Sequence, residues 1–396
     1  MRISTMRALD ARLGRLLCRA FTLARHLLPE RGAVGPPERV LLIKFWGMGS
    51  LVCATPLAQA LRERHPGLRL DLLTFDFQRQ TAAFLGIADQ VITLSPRSLA
   101  GFLRSTLAVL ARIRRTRYSA VIDLEFFSKF TALLAYLSGA PMRIGFQFRP
   151  IDRGDLFTHA VPFNDRLHVT RIFRSLGAPL GVPDAPAAYP RLEPAADDVA
   201  SARRLLGAAG ECPAYVVLNA NVSEQSAHLR RWPLDRYAEL AGILAHEEGC
   251  GIVLIGGPAD REYVAELAAR IGPLPGLTDL SGRLTVGELA AVLRGAAAVV
   301  TSDTGPMHMA VAVGAPVIAF FGTETPALYG PIGEGHAVIR RDLACSPCLT
   351  VYNEKLFTCP YGNACMQNIE TAEVLSAVRA RLGVAGAPRA GLRTIA

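Results

Sequence analysis

Arg39-Val-Leu-Leu-Ile-Lys44, running almost directly into Gly47-Met-Gly49-Ser50, is the stretch that decides how this chain is organised. An unbroken apolar run with no polar alternation describes a short strand buried on both faces, which is the habit of parallel sheets. The glycine-rich turn follows at once, Thr55–Arg64 has helical spacing, and Leu68–Thr74 is again apolar and strand-like. Strand, tight turn, helix and strand make the opening unit of a doubly wound α/β sheet. Further along, Gln90–Leu94 and Ala120–Leu124 read as strands, the second after a helix rich in leucine and arginine. Ser128–Leu137 reads as a helix ended by Gly139 and Pro141.

From Gly177 to Pro194 the periodicity lapses and Pro179, Pro183, Pro186, Pro190 and Pro194 punctuate the chain, so this region reads as a linker. A second α/β half begins at Ala214-Tyr-Val-Val-Leu-Asn219, with Gly251–Gly257, Ala297–Ser302 and Pro316–Gly322 as its further strands. The expected layout is a helix over 1–36, an N-terminal domain over 37–182 and a linker over 183–211. A C-terminal domain follows over 212–385 and carries a cysteine-rich loop at 345–365. Two doubly wound domains are expected to face a central cleft at the carboxyl ends of their strands.

Apolar residues make up 51% of the 396-residue chain and charged ones 19%, which suits packed α/β domains and excludes extended disorder. No run approaches the roughly 20 apolar residues a membrane span needs. The expected compartment is cytoplasmic, peripheral to the membrane if anything. The net charge of +9 is unevenly placed: residues 1–40 hold eight arginines against Asp10, Glu30 and Glu38. At about 100° per residue, Leu9, Leu13, Leu16, Leu17, Ala20, Ala24, Leu27 and Leu28 share one arc, and Arg7, Arg12, Arg15, Arg19 and Arg25 lie outside it. Such a basic amphipathic helix either lies on an anionic membrane surface or packs on the protein with its arginines solvated. No nucleic acid partner is expected.

Of eight cysteines, four cluster as Cys345-x-x-Cys348, Cys359 and Cys365. In a cytosolic chain that pattern suggests a structural zinc site, although the spacing matches no standard ribbon, and a thiol-rich surface loop is the alternative.

The richest segment for chemistry is Ala296-Ala-Ala-Val-Val-Thr-Ser-Asp303-Thr304-Gly305-Pro306-Met307-His308. A buried strand ends in a polar turn, and Pro306 opens a helix. The turn's amides and the helix dipole suit a diphosphate, Thr304 and Gly305 allow close approach, and His308 reaches one turn in. The plainer reading is an ordinary helix cap. Three other groups favour the ligand: Asn219, Asn221 and Ser223 at a strand's end, the basic pair opening Arg230-Arg231-Trp232-Pro233, and the turn Gly256-Gly257-Pro258.

In these segments, with Arg39–Pro56, Arg143-Ile-Gly145, Gly314-Ala-Pro316, Phe321-Gly322 and the cysteine cluster, the chain resembles the family 9 glycosyltransferases. These are the heptosyltransferases of lipopolysaccharide core synthesis and their relatives, of GT-B fold. The resemblance runs from about Arg39 to Leu382. It implies that Asp303, Thr304, Gly305 and His308 touch the diphosphate and sugar of a nucleoside-diphosphate sugar, that Arg230 pairs with phosphate, and that the base stacks near Leu284. It implies no cofactor for the chemistry itself.

One departure matters. Heptosyltransferases carry an aspartate in the first glycine turn, taken to be the general base, where this chain has Ser50. A serine hydroxyl cannot serve as that base unaided. The expected substitute is Glu125, in Asp123-Leu-Glu125-Phe-Phe-Ser-Lys129, with Asp76 in reserve; the alternative for Glu125 is a structural pair with Lys129. Lys44, Lys129 and Arg143 are expected to line the side that receives a glycolipid or saccharide acceptor. The leading function is inverting transfer of a sugar, a heptose by resemblance, to a lipopolysaccharide-core or other cell-surface glycan. Its rivals are a nucleotide-sugar epimerase of the same fold and a non-catalytic nucleotide-sugar-binding protein.

Overall fold

The computed structural model describes residues 10–27, 35–148, 152–186, 188–223, 227–352 and 358–383. It divides into two compact units, Met1–Pro190 and Arg191–Ala396. Residues 196–211, expected to belong to the linker, are instead helical, and Ala196–Leu206 joins the second unit: Ser201 Oγ donates to Glu288 Oε1 at 2.6 Å. Glu288 is free to do so because it sits in the first turn of its own helix, where it also completes a capping box with Thr285.

In the first unit the strands are β1 (Arg39–Ile43), β2 (Arg69–Phe75), β3 (Gln90–Leu94), β4 (Ala120–Asp123), β5 (Met142–Gln147) and β6 (His159–Pro162). They form a parallel sheet ordered 3-2-1-4-5-6, with Ile43 level with Ile43's neighbours Leu73 and Asp123. In the second unit β7 (Tyr215–Asn219), β8 (Gly251–Leu254), β9 (Leu277–Asp279), β10 (Ala298–Ser302), β11 (Val317–Phe321) and β12 (Ala337–Arg340) form another six-stranded sheet. Its order, β9-β8-β7-β10-β11-β12, repeats the first. This is the doubly wound order twice over, and it reverses direction between β1 and β4 and again between β7 and β10. The two Rossmann-like domains expected from the sequence are present.

The central strands β1, β4, β7 and β10 are buried almost throughout, as strands covered on both faces must be. The second unit's core joins Trp232, Tyr237 and Phe320 to the helix Thr371–Leu382, and Trp232 Nε1 finds its partner in the Ile369 carbonyl at 2.9 Å.

The N-terminal helix Arg15–Leu27 is part of the first unit, entered through a short π-turn, Asp10–Gly14. Asp10 accepts hydrogen bonds from the Lys129 and Phe130 amides at 3.1 and 2.7 Å, and so caps the helix Lys129–Leu137 from far away in sequence. Gly14 lies so close to Lys129 that a Cβ there would come within 2.8 Å of the lysine's own. Cys18 is fully buried, Phe21 meets Tyr136 with ring centroids 5.5 Å apart, and Arg25 donates to the Phe157 carbonyl at 2.9 Å. The helix therefore packs through Gly14, Cys18, Phe21 and Arg25 and leaves its leucine arc outward. Leu9, Leu28, Arg2, Arg7 and Arg31 fall outside the described residues.

Candidate active site

Each sheet builds a polar constellation at its reversal point, where the crossover helices diverge and backbone groups are left for a ligand. In the second unit the link is between β7 and β10. Asn219 Nδ2 donates to Thr301 Oγ1 at 2.8 Å and Thr304 Oγ1 at 3.0 Å, fixing the turn that follows β10 to the end of β7. Thr304 then caps the helix Gly305–Ala312 in extended backbone; its hydroxyl bonds Asn219 and not the helix, so the first amides of that helix have no side-chain cap. They are the donors an anion would use.

Asp303, nearly buried, is held between a guanidinium and an imidazole. Arg230 Nη2 lies 3.1 Å from one carboxylate oxygen and His308 Nε2 lies 3.7 Å from the other. Ser302 Oγ donates to the Arg230 carbonyl at 2.9 Å, tying the basic segment to the turn. Asn221 Nδ2 donates to the Ile255 carbonyl at 2.5 Å, and its buried Oδ1 has no hydrogen-bond donor among the described residues. Gly256 is required here, because a Cβ would come within 2.7 Å of Asn221 Nδ2. Gly257 and Leu284 follow the ends of β8 and β9 on the same carboxyl edge, and Ser223 lies exposed beyond β7. The carboxyl edge of one sheet thus carries Asn219, Asn221, Ser223, Arg230, Gly256, Gly257, Leu284, Asp303, Thr304, Gly305 and His308.

In the first unit the link is between β1 and β4. Glu125 Oε1 accepts from Lys44 Nζ at 2.9 Å and from the Phe45 and Trp46 amides at 2.7 and 3.1 Å. Among the described residues Oε2 takes no hydrogen bond. The carboxylate thereby reaches the glycine turn that holds Ser50, arriving from β4 and not from the turn itself. Its partner is Lys44, not Lys129 as the helical spacing suggested, because Lys129 opens the next helix and lies beneath Gly14. Behind Glu125, Asp123 pairs with Arg153, both side chains fully buried. Burial pushes the Asp123 carboxyl up, and Arg153 and the Thr131 hydroxyl pull it back down.

The acceptor-side expectations fare unevenly. Arg143 is buried, and its Nε and Nη1 donate to the Leu156 and Ala140 carbonyls at 2.8 and 2.9 Å, so it braces β5 and is not presented to a ligand. Lys44 is spent on Glu125. Asp76, the reserve base candidate, and three residues not singled out from the sequence, Phe77, Pro96 and Arg97, line a hollow of about 430 Å³ past the ends of β2 and β3. Trp46 stands against Phe75 and Phe77. The aromatic pair Phe45-Trp46 directly before the glycine turn was the available signal.

Cys345, Cys348, Cys359 and Cys365 come near one another. Burial first, and then the neighbouring thiols, push Cys365 up to about 11. Among the described residues, however, no three His, Cys, Asp or Glu side chains assemble a metal-holding group. The zinc expectation therefore has its donor chemistry but not its geometry.

The sequence profile of Glycosyltransferase family 9 (heptosyltransferase) matches residues 106–356, which hold Glu125 and the whole of the second unit's constellation. The chain belongs to glycosyltransferase family 9. Among its relatives, the lipopolysaccharide heptosyltransferase 1 of Pseudomonas aeruginosa is 26% identical over 326 residues, 78% of this chain and 86% of the relative. The fold is shared with a family 9 glycosyltransferase from Veillonella parvula, at a TM-score of 0.71 and 22% identity over 87% of this chain and 97% of that one. It is shared equally with the Escherichia coli ADP-heptose lipopolysaccharide heptosyltransferase II, at a TM-score of 0.71 and 20% identity over 87% and 98% of the two chains. A family 9 chain is a glycosyltransferase, so neither the epimerase nor the non-catalytic reading is favoured. Among the described residues no helix is long and apolar enough to cross a membrane.

Proposed function

We propose that this glycosyltransferase moves a heptose from a nucleoside-diphosphate heptose, ADP-heptose by analogy with its relatives, to a lipopolysaccharide-core acceptor with inversion. The observation that carries the reading is the Arg230–Asp303–His308 constellation beside the uncapped amino end of the Gly305 helix. The Arg230 guanidinium and the amides there oppose the charge that grows on the departing diphosphate as its bond to the anomeric carbon breaks. Asn219, Asn221 and the glycine turn supply short polar groups for ribose and sugar hydroxyls, and Leu284 an apolar contact for the base. The acceptor hydroxyl attacks the anomeric carbon, a new glycosidic bond forms, and the hydroxyl proton passes to Glu125 Oε2. Lys44 and two amides keep Oε1 occupied, which orients the other oxygen. Ser50 contributes a hydrogen bond in the same turn, and Arg97 and the aromatic hollow are offered to the acceptor, whereas Lys129 is buried beneath Gly14 and is not.

The test is a donor screen by thermal shift, followed by transfer to a deacylated core acceptor. ADP-heptose at about a hundredfold excess over its dissociation constant should stabilise the fold by about 2.7 kcal/mol, and hexose nucleotides less. Equal stabilisation by every nucleoside-diphosphate sugar, with no transfer from ADP-heptose, would overturn the substrate.

A structural zinc held by Cys345, Cys348, Cys359 and Cys365 belongs to the same proposal and needs the thiols to close in as thiolates. Elemental analysis of chain purified without chelator, reading about one metal per chain, tests it.

A further inference from the structure

Among the described residues, most of the large apolar side chains that the fold leaves exposed lie on two helices of the first unit. On the N-terminal helix, Leu13, Leu16, Leu17, Leu23 and Leu27 are 38 to 74% exposed. On the helix Leu99–Thr116, Leu99, Leu103 and Leu107 repeat every fourth residue and are 52 to 69% exposed. Neither set is there for packing. The first helix docks through Gly14, Cys18, Phe21 and Arg25, on the side away from the leucines, and the second through Val109 and Ile113. Both helices feed the same core and both border the helix Lys129–Leu137, one through Phe21 and Tyr136, the other through Phe102 and Phe130.

Charge selects what covers these leucines. Arg15–Leu27 and Leu99–Thr116 contain no acidic residue. Arg12 and Arg15 project into the sector beside the leucine arc of the first helix, next to Arg19, which pairs with Asp152 at 2.8 Å, and Arg104, Arg112, Arg114 and Arg115 crowd the second. The one acid at the entry, Asp10, is turned inward to cap the Lys129 helix. A second copy of the chain meeting this face two-fold would bring arginine sectors against one another. An anionic bilayer accepts leucines among its acyl chains and arginines among its phosphates.

We infer that these two helices are a docking face for anionic phospholipid, with Leu16, Leu23 and Leu27 and, in parallel, Leu103 and Leu107 as the inserting residues. The placement suits a glycolipid acceptor: Asp10 and Ser98 set both helices starting at the carboxyl edge of the sheet, where Glu125 lies. The inference does not depend on heptosyl transfer, because it is read as binding and not turnover.

The experiment is co-sedimentation of the full chain with vesicles of phosphatidylglycerol and phosphatidylethanolamine, against phosphatidylcholine vesicles as control. The wild-type chain should partition to the anionic vesicles and lose most of that binding in high salt. Leu16→Gln/Leu23→Gln/Leu27→Gln and Leu103→Gln/Leu107→Gln should each weaken partitioning about tenfold or more. Arg12→Gln/Arg15→Gln should weaken it on anionic vesicles alone. These side chains are exposed, so circular dichroism and thermal midpoints should be unchanged. Absence of wild-type binding, or binding untouched by both leucine sets, overturns the inference. A wild-type dimer that the leucine substitutions turn into a monomer also overturns it, in favour of a second copy.

Discussion

Lys44 Nζ lies 2.9 Å from Glu125 Oε1, bridging the ends of β1 and β4 where the first sheet reverses its order. Eighty-one residues separate the two, yet the pair does locally what an aspartate in the glycine turn would do, bringing a carboxylate to the turn that holds Ser50. Glu125→Gln keeps the shape and the contact with the turn but removes the basicity. Turnover should fall about a hundredfold or more, with donor binding intact, since a positioned base contributes 10²–10⁴-fold. Steady-state kinetics beside a donor titration separates the two. Normal turnover in Glu125→Gln together with loss in Asp76→Asn would move the role to Asp76.

The Arg230–Asp303–His308 group makes a different prediction, because in the proposed reaction Arg230 and the helix amides face the charge on the leaving diphosphate while Asp303 holds Arg230 and His308 in place. Asp303→Ala and His308→Ala should each cut kcat/KM by an order of magnitude or more, as expected for losing preorganised contacts to developing charge. Arg230→Ala should raise the KM for donor as well. Near-wild-type kinetics in all three would remove the donor site from this turn.

Asp123 and Arg153 form a pair with no side-chain exposure, and Arg153 also donates to the Phe126 and Phe146 carbonyls at 3.1 and 3.2 Å. Breaking such a pair from one side strands a buried charge. Arg153→Met should destabilise the fold by about 3–5 kcal/mol, and Asp123→Asn/Arg153→Met should cost less than Arg153→Met alone. Urea unfolding of wild type, Asp123→Asn, Arg153→Met and the double variant decides it; additive losses would mean that the carbonyl contacts, not the ion pair, carry the cost.

Much of this was legible in the chain itself where apolar runs are unbroken. β1, β2, β4, β7 and β10 lie at or beside sheet centres and announce themselves because both of their faces must be apolar. β6 and β12 at the sheet edges, and β9 with three residues, were not distinguished, since short edge strands are held by their neighbours and not by their own composition. Spacing paired Glu125 with Lys129, and only tertiary structure could supply Lys44. The helical periodicity of the N-terminus separated leucines from arginines but could not say which side packs; Gly14 and Cys18, the residues of closest approach, carry no such signal in a hydropathy pattern.

His336 offers a pH test that is independent of catalysis. It precedes β12, and its Nδ1 accepts from the Val317 amide at the start of β11 at 3.2 Å, a bond that requires an unprotonated nitrogen. Burial, with Arg381 nearby, lowers its pKa to about 4 from an ordinary 6.5. In the unfolded chain the imidazole regains its ordinary value, so between pH 6.5 and 4 the unfolded state binds the proton and the folded state resists it. The stabilisation is therefore complete above about pH 6.5 and drains away as the pH falls towards 4, by about 3 kcal/mol at most. His336→Gln offers a neutral acceptor that does not titrate there. Other groups titrate over the same range, so the readout is the difference between wild type and variant in urea unfolding, measured at steps from pH 7.5 to 4. Wild type should lose about 2–3 kcal/mol more than the variant across that interval. A difference that stays constant with pH would mean that the imidazole is already protonated, or solvated enough to protonate without cost, and that the Val317 bond is not what holds the β11–β12 edge together.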